Sequence, residues 1–114
     1  MPILYKILPA PLWQAAERDG RFHGSEVDRR DGFIHFSTAA QCAETAAKHF
    51  AGQDDLLLVG VDAARLGAAL KWEPSRGGAL FPHLYAPLDL SAVTKVEPLP
   101  LGPDGRHQFP PFDQ

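Results

Sequence analysis

A single cysteine, Cys42, and a single methionine are all the sulfur the chain holds. An internal disulfide is therefore excluded, and so is any paired Cys-x-x-Cys motif. Positive charge is not in excess either: 11 Lys+Arg against 14 Asp+Glu leave a formal charge of -3, too little to grip a phosphate backbone. Long hydrophobic runs are missing. The longest, Leu56 to Val61 with Gly60 inside it, falls far short of the ~20 residues that span a bilayer. The start, Met1 to Leu8, lacks the basic region, long apolar stretch and small-residue cleavage site of a secretory signal. These absences set the expectation of a cytoplasmic chain with no nucleic-acid and no membrane partner, whose lone thiol suits a reducing compartment. Several chemistries have no motif here: no phosphate loop ending in Lys-Ser or Lys-Thr, no His-Glu-x-x-His and no Gly-x-Ser-x-Gly.

What is present is an ordinary globular composition, 45% hydrophobic and 22% charged over 114 residues, enough for one core. The expected division is a single domain over residues 1–98 and a tail over 99–114, which holds four prolines and two glycines and suggests no regular structure of its own. Phe109 and Phe112 point to its docking on the domain surface. Ile3 to Leu8 reads as a strand, and Pro11 to Asp19 as a short amphipathic helix whose Trp13 packs on a sheet. The charged stretch Glu26 to Asp31 reads as a loop leading through Asp31-Gly32 into a strand at Phe33-Ile34-His35-Phe36. A helix follows over Ala39 to Phe50, with Glu44 and Lys48 placed to pair and Cys42 on its apolar stripe as a buried structural thiol. Leu56 to Val61 is the expected central strand, having no polar side chain on either face. Ala63 to Leu66 makes one helical turn, Ala69 to Glu73 a strand, and Pro74 to Gly78 a polar loop able to move over a ligand. Ser91 to Pro98 is the last strand. Strands with two or three short helices, not strictly alternating, give an α+β domain.

Two segments carry the chemistry: Gly32-Phe33-Ile34-His35-Phe36-Ser37-Thr38 and Phe81-Pro82-His83-Leu84-Tyr85-Ala86-Pro87-Leu88. Each sets a histidine and hydroxyls inside an apolar run, where such groups are costly unless bonded. If the first is extended, Phe33, His35 and Ser37 share one face and Ile34 and Phe36 the other. Neutral imidazole offers one donor and one acceptor, so His35 suits a ribose hydroxyl or general-base work, with Ser37 beside it. A core histidine bonded to a backbone carbonyl is the alternative. His83 and Tyr85 repeat the pattern, and Pro82 and Pro87 argue for a shaped loop over a sheet-interior strand. Glu73, the only acidic residue between Asp62 and Asp89, sits beside Trp72, which on desolvation grounds favours its protonated form. His35, His83 and Glu73 also form a familiar metal-ligand set, that of a metal-dependent hydrolase.

The residues Tyr5-Lys6-Ile7, Trp13, Gly32 to Thr38 with Gln41, Asp62, Trp72-Glu73 and Phe81 to Leu88 resemble, in order and spacing, the bacterial and plant domain-of-unknown-function family DUF952. Ala86 stands where that family usually has glycine. The resemblance implies a fold grouped with the ADP-ribosyltransferase-like proteins, two small mixed sheets enclosing a cleft for NAD. It implies His35, Ser37 and Thr38 as ribose-binding, Tyr85 as stacking on a ring, and Glu73 as the catalytic acid; the residue-by-residue reading adds His83 to the cofactor-binding set and His35 to the catalytic pair. Transfer or hydrolysis at the glycosidic carbon of NAD is the activity it points to. A non-catalytic small-molecule or protein-binding module is the alternative from another class.

Overall fold

The computed structural model describes residues 3–112. Met1, Pro2, Asp113 and Gln114, counted above in the expected domain and tail, lie outside the described residues, as does the side chain of Arg76.

The chain opens with strand β1 (Ile3–Pro9), turns at Pro9 into helix α1 (Ala10–Asp19), and continues through β2 (Arg21–Phe22), helix α2 (Glu26–Asp31) and β3 (Ile34–His35). A 3-10 turn, Ala39–Gln41, leads into helix α3 (Cys42–His49), and then come β4 (Leu56–Asp62), β5 (Leu70–Ser75), β6 (Ala79–Leu84), β7 (Leu88–Asp89) and β8 (Val93–Leu99). The α+β class holds. The sheets differ from expectation: there are three among the described residues, in orders β1-β4-β8, β2-β7 and β3-β6-β5, and every strand pair is antiparallel, not mixed.

β4 is the centre of its sheet, as its unbroken apolar sequence requires. It pairs Val59 with Lys6 on one side and with Val96 on the other. The main core gathers Leu4, Leu8, Trp13, Phe22, Ile34, Phe36, Val59, Val61, Leu84 and Leu88 beneath α1 and between the sheets. Ile34 and Phe36, on the face read as apolar, are 3% and 2% exposed. Trp13 packs α1 here, its ring tilted against Phe22 at 6.1 Å. Cys42, 0% exposed, belongs to a second cluster with Tyr5, Ile7, Leu58 and Leu99, and Phe109 and Phe112 of the tail pack against it. Burial pushes the Cys42 thiol up to about 12, which makes it inert, as expected of a structural cysteine. At the start of the tail Leu99 still pairs with Leu56 at the end of β8, and beyond it the bridge Leu101↔His107 joins two of its residues.

Two local readings are corrected. Glu26–Asp31 is a helix and not a loop, because Ser25 caps it: the Ser25 hydroxyl accepts from the Asp28 N–H at 3.2 Å, and the Ser25 N–H donates to Asp28 Oδ2 at 2.8 Å. That reciprocal pair satisfies two backbone donors that would otherwise be orphaned. Pro82 lies in a sheet-interior strand and not in a shaped loop, since β6 is the middle strand of its sheet. The N–H and C=O of an extended residue point to the same edge. The Pro82 carbonyl accepts from Phe36 N–H at 3.0 Å, just past the last β3 pair, His35↔His83, so the missing proline donor costs β5 nothing. Pro74 and Pro98 sit in edge strands, where a missing donor faces outward.

Candidate functional site: two paired histidines at one cleft

β3 is only two residues long, yet it fixes the site. His35 and His83 are cross-strand partners in its ladder with β6, so the two distant polar segments meet, their ring centroids 5.5 Å apart. Phe33 fills the space beside them. Its ring stacks on His83 at 4.0 Å and 24°, and also touches His35 at 4.6 Å and Tyr85 at 5.2 Å.

Glu73 reaches this cluster from β5. Tyr85 donates its hydroxyl to Glu73 Oε1 at 2.7 Å, and His83 Nδ1 lies 2.8 Å from the same oxygen. These two bonds, the tyrosine's first, hold the Glu73 carboxyl below its usual range, while the tyrosine hydroxyl is pushed above its own. The expectation that Trp72 keeps Glu73 protonated is overturned. Successive side chains of a strand point to opposite faces, so Trp72 is turned away from its neighbour and is 45% exposed. An ionised carboxylate only accepts, so the hydrogen bond places the ring proton of His83 on Nδ1 and leaves Nε2 a bare acceptor in the neutral ring. That Nε2 is buried and has no hydrogen-bond partner among the described residues.

His35 is held differently. Asp28 Oδ1 accepts from the His35 backbone N–H at 3.1 Å and lies 2.6 Å from its Nδ1, while Asp31 Oδ2 is 3.0 Å from Nε2. Two carboxylates facing both ring nitrogens are satisfied together only by the imidazolium. Beneath them Lys6, 6% exposed in the middle of β1, donates to Asp28 Oδ1 at 2.9 Å, to His35 O at 2.9 Å, and lies 2.8 Å from Asp28 Oδ2. Burial pushes the Asp28 carboxyl up, but the bonds from His35 and Lys6 outweigh it and hold it well below the usual range. The Lys6 amine is pulled down by its burial, with Asp28 opposing. β1 is brought to this place by the bridge Tyr5↔Ser37, whose N–H groups donate across at 2.8 and 2.9 Å.

A cleft of about 690 Å³ opens against β1, α2, β3, α3 and β6, with Lys6, Asp28, Asp31, His35, Ser37 and His83 on its wall. That volume is in the range of small-molecule sites, ~300–1,000 Å³. Of the residues singled out from the sequence, His35, Ser37 and His83 line it. Thr45 donates its hydroxyl to Gln41 O, so the Ser37 hydroxyl donates to Thr45 Oγ1 at 2.9 Å and helps tie α3 in place. Glu73 and Tyr85 stand behind His83, outside the cleft wall. Thr38 is off the wall too, its N–H donating to Gln41 Oε1 at 3.0 Å to start the turn before α3. Among the described residues, no three His, Cys, Asp or Glu side chains are grouped to hold a metal ion, so His35, His83 and Glu73 do not converge as such a set. No described helix is long and apolar enough to cross a membrane.

Lys6, named in the sequence only within the family pattern, and Asp28 were not read there as site residues, yet they carry the buried half of the site. The signals were a lysine in the middle of an apolar strand, and the Ser25-x-x-Asp28 spacing of a capping box.

The sequence profile described as "Protein of unknown function (DUF952)" matches residues 7–96. The chain belongs to the DUF952 family. The crystal structure of protein CC0527 from Caulobacter crescentus is similar to it over 93% of each chain, at 56% identity and a TM-score of 0.89. A crystal structure of a double mutant of the same protein matches at 54% identity, 93% of each chain and a TM-score of 0.89. Its solution NMR structure covers 95% of this chain and 93% of its own at 56% identity, with a TM-score of 0.85. No curated protein matches the chain. This DUF952 domain thus shares its fold with CC0527.

Proposed function

We propose that the cleft is a small-molecule site centred on His83, that it holds a ribose-containing ligand of the class to which NAD belongs, and that His83 Nε2 is the proton acceptor. The observation that carries this reading is the buried, unpartnered Nε2 on a ring whose other nitrogen is fixed by Glu73. A buried polar atom left unpaired costs about 1–3 kcal/mol, and a ligand hydroxyl donating to it removes that cost. The chemistry this suits is transfer or hydrolysis at a glycosidic carbon. The attacking water or hydroxyl forms the new C–O bond as its proton passes to Nε2, the glycosidic bond breaks, and its electron pair leaves with the base. Glu73 then acts through His83, orienting the ring and stabilising the imidazolium, as a carboxylate does behind a catalytic histidine. Kinship with the ADP-ribosyltransferase-like folds is part of the proposal, supported by a cleft walled by β1 of one sheet and β6 of another.

The test is nicotinamide release from NAD and from nicotinamide riboside by the purified chain, beside the His83→Gln variant. Release that the variant loses supports the reading, and no binding of any ribose-containing compound refutes it. Binding without turnover is the second reading, favoured by His35, whose ring nitrogens both face carboxylates and which has no free nitrogen with which to move a proton. Saturable binding with no product would establish it.

A further inference from the structure

We infer that the ligand of this cleft carries an amide edge, an N–H donor beside a C=O acceptor, which pairs with the backbone of Ile7; the inference rests on the site proposed above. It follows from where β1 runs. Tyr5, Lys6, Ile7, Leu8 and Pro9 all line the cleft, although Tyr5 and Ile7 pack in one core cluster and Leu8 in the other. Successive side chains of a strand point to opposite faces, so consecutive residues share one cleft only along the strand's edge.

That edge is open at one residue. Tyr5 and Ser37 exchange both of their backbone bonds, at 2.8 and 2.9 Å, so the N–H and C=O of Tyr5 point away from β4. Alternate residues of an antiparallel strand repeat that direction, and β1 keeps an unbroken register with β4 from Ile3 to Pro9. Ile7 therefore presents its N–H and C=O to the same side. The next antiparallel partner there would be His35, but its N–H donates to Asp28 Oδ1 and its carbonyl accepts from Lys6 Nζ. Ile7 is 5% exposed, and neither of these backbone groups has a partner among the described residues. Buried backbone groups are almost always paired.

The size of the opening selects the occupant. Pro9, the next residue to face that way, has no N–H, and the chain turns there into α1. A peptide adding itself as a strand needs a run of donor–acceptor pairs. A single donor with a single acceptor matches one amide group, either a primary carboxamide or the amide edge of a nucleobase.

The experiment is calorimetric titration of the full chain with two matched pairs, in each of which the second member keeps the acceptor and loses the donor. The pairs are nicotinamide riboside against its acetylpyridine analogue, and uridine against its ring-N-methyl derivative. NMR signals of the Ile7 backbone N–H and of the His83 ring are followed in parallel. In at least one pair the amide-bearing member is expected to bind at least about tenfold tighter and to move the Ile7 N–H signal, and the pair that does so separates carboxamide from nucleobase. Should the ligands bind and move the His83 signals with no preference in either pair, the inference is overturned and the site reading stands. If none of the four binds, or if they bind without moving His83, the site reading falls and the inference falls with it.

Discussion

At the scale of single residues, the cleft rests on two carboxylates that each govern one histidine. Asp28 binds His35 and Lys6 in the interior, while Glu73 turns His83 from the other side of its ring. Lys6→Met leaves a buried charge short of its partner, and urea unfolding is expected to show a loss of about 3–5 kcal/mol. The double variant Lys6→Met with Asp28→Leu should lose less than the sum of the two single changes. Because Asp28 has its carboxyl lowered in the folded state, its stabilisation is present above the ordinary aspartate range, near pH ~4, and is lost as pH falls toward its lower folded value. Unfolding measured from neutral to acid pH should therefore show a decline that Asp28→Asn makes shallower. His35 and His83 were legible in the sequence, because imidazole inside an apolar run needs a reason. Asp28 was not, since it stands among Glu26, Arg29, Arg30 and Asp31 in a stretch that looks uniformly solvated, and only the fold shows that its side chain is 2% exposed.

Among the elements, α2 was the one misread, and the cause is physical. A helix of six residues, EVDRRD, is too short to show an apolar stripe, and its one large apolar residue, Val27, is 49% exposed. It exists because of its ends. Ser25→Ala should cost about 0.5–2 kcal/mol and loosen Asp28, which the ring NMR signals of His35 would report. Gly24 is required next to it: its φ is +107°, and an added Cβ would stand 2.9 Å from Asp28 Cβ. Gly24→Ala is expected to disturb the Asp28 network more than its distance from the cleft suggests. β1, β4 and α1 were readable because long periodic segments declare themselves. The interior place of Pro82 was not, because the tolerance comes from β3 ending one residue early, a property of the neighbouring strand.

For the molecule as a whole, the α+β class could be read locally, but the partition into sheets could not. Strand orders such as β1-β4-β8 and β3-β6-β5 are set by pairings far apart in sequence, and no local signal records that Tyr5 bridges to Ser37. The tail belongs to this scale too. Phe112 meets Tyr5 edge-on at 5.0 Å, and Phe109 packs with it over the cluster that seals Cys42. Ending the chain at Leu99 should cost about 2–4 kcal/mol of stability from the lost aromatic packing, and should make the Cys42 thiol reactive toward a disulfide reagent that the full chain resists.

The central claim is that Glu73 pins the ring proton of His83 on Nδ1 and leaves Nε2 without a partner. Nitrogen-15 NMR of the histidine rings in the full chain tests it most directly. The account predicts that His83 carries its proton on Nδ1 with Nε2 unprotonated, and that Glu73→Gln disturbs this state. A His83 ring protonated on Nε2 in the unaltered chain would contradict it.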